Sequence, residues 1–254
     1  MTKTVSVRGL TIGAGTPKIC VPLVGETLAQ IKEEAVSLLE LDIDIVEWRV
    51  DFFNQVDSIE KVKAALVEIR SLLPNIPLIF TFRSHKEGGE KEVSTSYYFE
   101  LNKTIVETGL VDFVDVELFN DEKDINRIVE TAHTTNVFVI ISNHDFHKTP
   151  EKEEIIARLR RAQELGADIP KIAVMPTSTA DVLTLLDATN TMKEKFADRP
   201  FITMSMAGKG VISRLSGEVF GSAVTFGAAK KASAPGQVDV KELRRVLNLL
   251  HECL

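Results

Sequence analysis

The stretch Val137-Phe138-Val139-Ile140-Ile141-Ser142-Asn143-His144, then Thr149-Pro150-Glu151-Lys152-Glu153, then Pro170-Lys171-Ile172-Ala173-Val174-Met175 reads as strand, helix start and strand. β-Branched apolar runs of this length are buried strands. Thr149 offers a helix cap, Pro150 suits the first helical position, and acids favour a helix N-terminus. Ile155, Leu159, Ala162 and Leu165 then recur at helical spacing, and Gly166 supplies a stop. The unit repeats. Strands are expected at 18–24, 44–50, 77–83, 113–118, 137–143, 170–175, 201–206 and 223–228. Helical spacing recurs between them and beyond, in Ile59, Val62, Leu66, Ile69 and Leu73 and in Val240, Leu243, Leu247 and Leu250, with Gly109 as another stop. Eight such repeats in 254 residues predict an α/β fold, a (β/α)8 TIM barrel. A doubly wound sheet is the weaker alternative, because no Gly-x-Gly-x-x-Gly turn follows the first strand. Residues 4–13 alternate weakly ahead of the first repeat and are expected to form an N-terminal β-hairpin closing the barrel bottom. No linker interrupts the chain, so residues 1–254 are read as a single barrel domain.

Composition agrees. Hydrophobic residues make up 44% and charged residues 26%, enough for a large core. A net charge of −7 argues against nucleic acid as a partner, which needs a basic field. No apolar run approaches the ~20 residues that span a bilayer, so no membrane association is expected. The start of the chain lacks the apolar run of a signal peptide, and Cys20 and Cys253 lack metal-ligand spacing. The expectation is a cytoplasmic protein with free thiols.

Charges fall where a core should be. In Asp44-Ile45-Val46-Glu47-Trp48-Arg49-Val50-Asp51, side chains alternate, so Val46, Trp48 and Val50 face the helices while Glu47 and Arg49 point into the barrel. Thr81 and Arg83 share one face of the third strand, and Asp115 and Glu117 alternate with Val114, Val116 and Leu118 on the fourth. His144 ends the fifth strand, Lys171 lies on the sixth, and Arg214 follows the seventh. Strand ends at the top of such a barrel carry its chemistry. One buried ion pair could be packing alone; several converging charges indicate a site.

Lys171 and His144 stand one strand-helix-strand unit apart. Burial and neighbouring arginines would favour a neutral amine, which attacks a ketone to form an imine, an electron sink for the adjacent carbon. An imidazole titrates near neutrality and suits proton transfer. Alone, Lys171 also fits a strand-start lysine reaching solvent at the barrel bottom, and His144 a structural histidine. His147 reads as loop surface. His144, Asp145 and His147 are a poor metal set, and no metal is expected there. Glu87, in Arg83-Ser84-His85-Lys86-Glu87-Gly88-Gly89, is placed to orient the imidazole or to be an exposed loop charge. The arginines suit an anionic small molecule, Ser233-Ala234-Pro235-Gly236-Gln237 offers polar tips on a loop, and Met204, Met206 and Phe226 offer apolar walls.

Taken in order, Glu47-Trp48-Arg49-Val50-Asp51, Phe80-Thr81-Phe82-Arg83, Glu87-Gly88-Gly89, Ser142-Asn143-His144-Asp145-Phe146, Pro170-Lys171-Ile172-Ala173, Ile212-Ser213-Arg214 and Ser233-Ala234-Pro235-Gly236-Gln237 resemble the type I 3-dehydroquinate dehydratases. Each motif is weak; the ordered set is specific and spans nearly the whole chain. The resemblance implies a homodimeric (β/α)8 barrel of the shikimate pathway that converts 3-dehydroquinate to 3-dehydroshikimate and water by syn elimination through an imine, without metal or cofactor. It implies the Schiff base on Lys171, proton transfer by His144 and orientation of His144 by Glu87. It further implies a carboxylate grip by Arg214, polar contacts from Glu47, Arg49, Arg83, Ser233 and Gln237, and pocket walls from Met204, Met206 and Phe226. Pro22 departs from the pattern, since some relatives carry serine there. A class I aldolase, which lacks support from any phosphate loop, and a non-catalytic metabolite-binding barrel are the alternatives.

Overall fold

The computed structural model describes residues 3–229 and 236–254. A two-stranded hairpin, β1 (Val5–Val7) with β2 (Leu10–Ile12), comes first. Then strands and helices alternate: β3 (Lys18–Leu23), α1 (Leu28–Leu38), β4 (Ile45–Arg49), α2 (Ile59–Leu72), β5 (Leu78–Thr81), α3 (Thr95–Glu107), β6 (Phe113–Glu117), α4 (Glu122–Thr134), β7 (Phe138–Asp145), α5 (Lys152–Glu164), β8 (Ile169–Val174), α6 (Thr179–Lys195) and β9 (Ile202–Ser205). Two short helices, α7 (Val211–Leu215) and α8 (Gly217–Phe220), lead to β10 (Val224–Ala228). The two-residue β11 (Val238–Asp239) and α9 (Val240–Glu252) end the chain.

Parallel ladders run in the order β10-β3-β4-β5-β6-β7-β8-β9. The ring closes through a bridge between Phe201 and Ser222, where Ala223 N–H donates to the Phe201 carbonyl at 2.9 Å and the Ser222 hydroxyl accepts from Thr203 N–H at 3.0 Å. This is the (β/α)8 barrel expected. Outward residues such as Val46, Trp48, Phe80, Val114 and Ile141 pack against Leu66, Ile69, Leu101 and Ile105 of the helices. Inside, Cys20, Ile45, Ile79, Phe113, Ile140, Ile169, Ile202 and Val224, one from each strand, form an apolar floor, on which Val5 and Ile12 of the hairpin pack from below. Arg8 of the hairpin ion-pairs Asp112 at 2.7 Å, and Arg70 of α2 holds the same carboxylate. The hairpin therefore plugs the bottom.

Gly109 and Gly166 sit just past α3 and α5 at φ +64° and +89°, the left-handed stop that glycine adopts without strain. The cap of α5 differs from expectation. Glu151, not Thr149, is the N-cap residue, and the Thr149 hydroxyl donates to the Met175 carbonyl at 3.0 Å instead. A tertiary acceptor beyond β8 outcompetes the local helix end. Pro22 is tolerated within β3 because its absent N–H would face β10, and the β10 ladder ends at the Phe226–Cys20 pair.

Candidate active site

Each strand that supplied an apolar residue to the floor supplies its next inward residue two positions on. Ile45 is followed by Glu47, Ile79 by Thr81, Phe113 by Asp115, Ile140 by Ser142, Ile169 by Lys171 and Ile202 by Met204. A two-residue step advances a strand by ~6.6 Å on the same face. The floor thus gives way at once to a charged tier, and one further step brings Arg49, Arg83, Glu117, His144 and Met206. Lys171 pairs with Ser142 across the β7–β8 ladder, and His144 with Ala173, so the imidazole stands one inward step above the amine on the neighbouring strand.

A cavity at this end is lined by Glu47, Arg49, Arg83, Glu87, Gly88, His144, Phe146, Lys171, Ala173, Met204, Met206, Arg214, Phe226 and Gln237. Every residue predicted for the site is among them except Ser233, which lies outside the described residues. Lys171 is 4% exposed and sits above the floor, not at the solvent edge of the barrel bottom. Its Nζ lies 3.4 Å from Glu47 Oε1 and 3.4 Å from Asp115 Oδ2, and 4.5 Å from the centre of the Phe226 ring. The expectation of arginines crowding the amine needs correction: they line the same cavity, but the groups touching Nζ are carboxylates.

Arg83, two residues beyond the end of β5, is a hub. Its guanidinium donates to Asp115 Oδ1 at 2.8 Å, Glu117 Oε1 at 3.0 Å and Ser142 Oγ at 3.0 Å, with Glu87 Oε2 at 3.7 Å. Arg49 makes a two-point contact with Asp51, both bonds 2.8 Å. Asp51 also accepts from Glu90 N–H at 3.1 Å, tying β4 to the loop that carries Glu87. That loop folds tightly. At Gly89 a Cβ would lie 1.9 Å from the Arg83 carbonyl oxygen, and at Gly88, φ +84°, it would strike the Phe146 ring. Only glycines let the turn close, and closure buries Glu87, which the sequence left between an orienting group and a surface charge.

Glu87 Oε2 lies 2.9 Å from His144 Nδ1. Burial, and then the charge of Glu117, pushes the Glu87 carboxyl up to about 8. Burial, then Arg83, Lys171 and Arg49, holds the imidazole well below its ordinary value. At neutral pH the ring is therefore uncharged. The Glu87 carboxyl is then protonated as well, and Nε2 is open as a base in the tautomer that keeps the ring proton on Nδ1, toward the carboxyl's carbonyl oxygen. Arg214, on α7, is buried beside Met204; burial lowers it to about 10, so it remains a cation near neutrality. Among the described residues, no group of three or more His, Cys, Asp or Glu is arranged to hold a metal ion.

Asp115 is legible in the sequence as an inward acid with no function attached, and Asp51 stands out only within the Glu47–Asp51 stretch. Phe146 and Gly88 gave no periodic signal, because loop closure brings them in.

Comparison with known proteins agrees with this geometry. The model of the type I 3-dehydroquinase family matches residues 19–253. The chain is 67% identical to the 3-dehydroquinate dehydratase of Bacillus licheniformis over 254 residues, covering all of both chains. It superposes with a TM-score of 0.97 on the crystal structure of the type I 3-dehydroquinate dehydratase of Clostridium difficile with covalently modified comenic acid, at 60% identity over 100% of this chain and 99% of that one. The TM-score is 0.95 for the Geobacillus kaustophilus 3-dehydroquinate dehydratase, at 40% identity over 98% and 97% of the two chains. Likeness to 3-hexulose-6-phosphate synthase, at 19% identity and a TM-score of 0.63, extends to the fold alone. With an amine and an imidazole on adjacent strands above an apolar floor, and with these matches along its length, the chain belongs to the type I 3-dehydroquinase family.

Proposed function

We propose that this protein, acting as a single barrel domain over residues 1–254, converts 3-dehydroquinate to 3-dehydroshikimate and water through a Schiff base on Lys171. The observation that carries the reading is the shared cavity: an amine held at its base and a neutral imidazole one step above it. The Lys171 ammonium gives up a proton and attacks the C3 ketone; loss of water leaves an iminium. His144 Nε2 takes a proton from C2, and the bonding pair moves into the iminium to give an enamine. The enamine expels the C1 hydroxyl, which leaves as water with the proton His144 carried. Hydrolysis then frees the amine. Glu87 fixes the ring through Nδ1. Arg214 faces the substrate carboxylate. Glu47, Arg49, Gln237 and Ser233 contact hydroxyls and carboxylate, while Met204, Met206 and Phe226 exclude water. Arg83 contributes chiefly by organising the acids around it. The enzyme serves the shikimate pathway as a cytoplasmic homodimer.

Borohydride reduction in the presence of 3-dehydroquinate tests the reading. A stable mass adduct mapping to Lys171 is expected. Absence of an adduct, with turnover preserved in Lys171→Ala, would overturn it. Phosphorylated sugars should not be cleaved; cleavage would favour an aldolase.

A further inference from the structure

Two carboxylates touch the reactive nitrogen, and they are not equivalent. Glu47 lines the cavity and is open to a ligand's hydroxyls. Asp115 does not line it. It is fully buried on the protein side of Nζ, and its Oδ1 is already taken by Arg83 Nη2 at 2.8 Å and the Ser142 hydroxyl at 2.7 Å. Those two contacts fix the carboxylate plane and leave Oδ2 for Lys171 at 3.4 Å. We infer that Asp115 is a catalytic residue, the fixed anion that keeps positive charge on the Lys171 nitrogen after it has bonded to substrate. The assignment rests on the Schiff-base reading above.

The chemistry needs such a group. A protonated iminium withdraws electrons from C2, whereas a neutral imine does so poorly. Substrate bonded to Nζ has its own hydroxyls to offer Glu47, so that contact changes as the ligand arrives, while Asp115 stays in place beneath. Asp115 is also suited to remain ionised. Burial opposes its charge, but Arg83, Lys171 and the Ser142 hydrogen bond outweigh burial and hold it below the usual carboxylate range. The titratable groups around the nitrogen are Glu47 and Arg49 from β4, Arg83 and Glu87 after β5, Asp115 from β6, His144 from β7 and Arg214 from α7, with the Cys20 thiol of β3 below. Of the two anions within 3.4 Å, Asp115 is the one with an ion pair to an arginine among the described residues.

An anion beside the nitrogen favours its protonated form, so removing the anion lets the imine lose its proton at lower pH. Asp115→Asn should lower kcat about 100-fold, as expected for loss of one preorganised electrostatic partner of the transition state. The alkaline limb of kcat, and that of borohydride trapping, should move down by about one pH unit or more. Trapping on Lys171 should persist at pH 6. An unchanged profile, or an equal loss at every pH with the limb unmoved, would overturn the assignment. If Asp115→Asn does not fold, as judged by circular dichroism, Ser142→Ala keeps the carboxylate but frees one of its tethers. The limb should then move in the same direction, and an unmoved limb would overturn the assignment. Failure of the wild-type protein to trap substrate removes the Schiff base itself. A trapped wild type with an unmoved variant limb removes only Asp115.

Discussion

The floor of the barrel and the tier immediately above it are built by the same strands and differ in almost every property. The floor holds Ile45, Ile79, Phe113, Ile140, Ile169 and Ile202; two residues further on, the same strands carry Glu47, Thr81, Asp115, Ser142, Lys171 and Met204. Burial is nearly equal, so exclusion of water is not what separates them. In the floor it produces hydrophobic stabilisation. In the tier above it produces ion pairs that are poor stabilisers but hold an amine, an imidazole and an arginine hub in one arrangement. The floor and the hairpin beneath it bear the cost of keeping a charged layer dry.

Substitutions on the two sides of this boundary should therefore fail differently. Lys171→Ala should reduce turnover at least ~10^4-fold, because covalent catalysis is lost outright, and borohydride should then leave no substrate adduct. His144→Ala should lower kcat about 10^2- to 10^4-fold, the usual worth of a general base, while an adduct on Lys171 still forms on quenching with borohydride. Turnover near the wild-type rate would remove the ring from the base role. Below the boundary, Ile140→Ala should cost about 2–5 kcal/mol in denaturant unfolding, with kcat of the folded fraction within about twofold of wild type. A large loss of kcat there, without loss of stability, would show that floor and tier do not divide the labour.

Glu87→Gln sharpens the comparison with the smallest effect. It should cost about 2- to 10-fold, the range of one hydrogen bond between neutral groups, and should remove the bend near pH 8 from the kcat/KM profile. Stability offers a separate reading with a definite sign. The folded protein holds the Glu87 proton more tightly than the unfolded chain. That contribution is fully present below pH 4.5 and is lost as pH rises through about 8. Unfolding free energy of Glu87→Gln should accordingly fall less over that interval than that of the parent.

Much of this boundary is legible in one dimension. Strand alternation fixes which residues face inward, so Glu47, Arg49, Arg83, Asp115 and Glu117 are legible as inward-facing, while Lys171 at a strand start stays open between the pocket and the barrel bottom. The fold followed from repeat count and from the lack of a nucleotide-binding turn. Local signals served less well where a distant partner competes. Thr149 reads as a cap and bonds Met175 instead, and Glu87 reads as ambiguous until Gly88 and Gly89 let its loop close on Phe146.

By itself, the sequence determined the barrel and the inward face of the strands that carry Glu47, Thr81 and Asp115, because alternation is a property of one strand and needs no neighbour; whether Lys171 and His144 meet in one pocket it left open. Only the tertiary structure decided which charges touch. Whether Lys171 meets arginines or carboxylates depends on the register between β4, β6 and β8, which brings Glu47 and Asp115 to the same height as the amine. Register is set by ladders between strands far apart in the chain, and electrostatics at a few ångströms depends on it entirely.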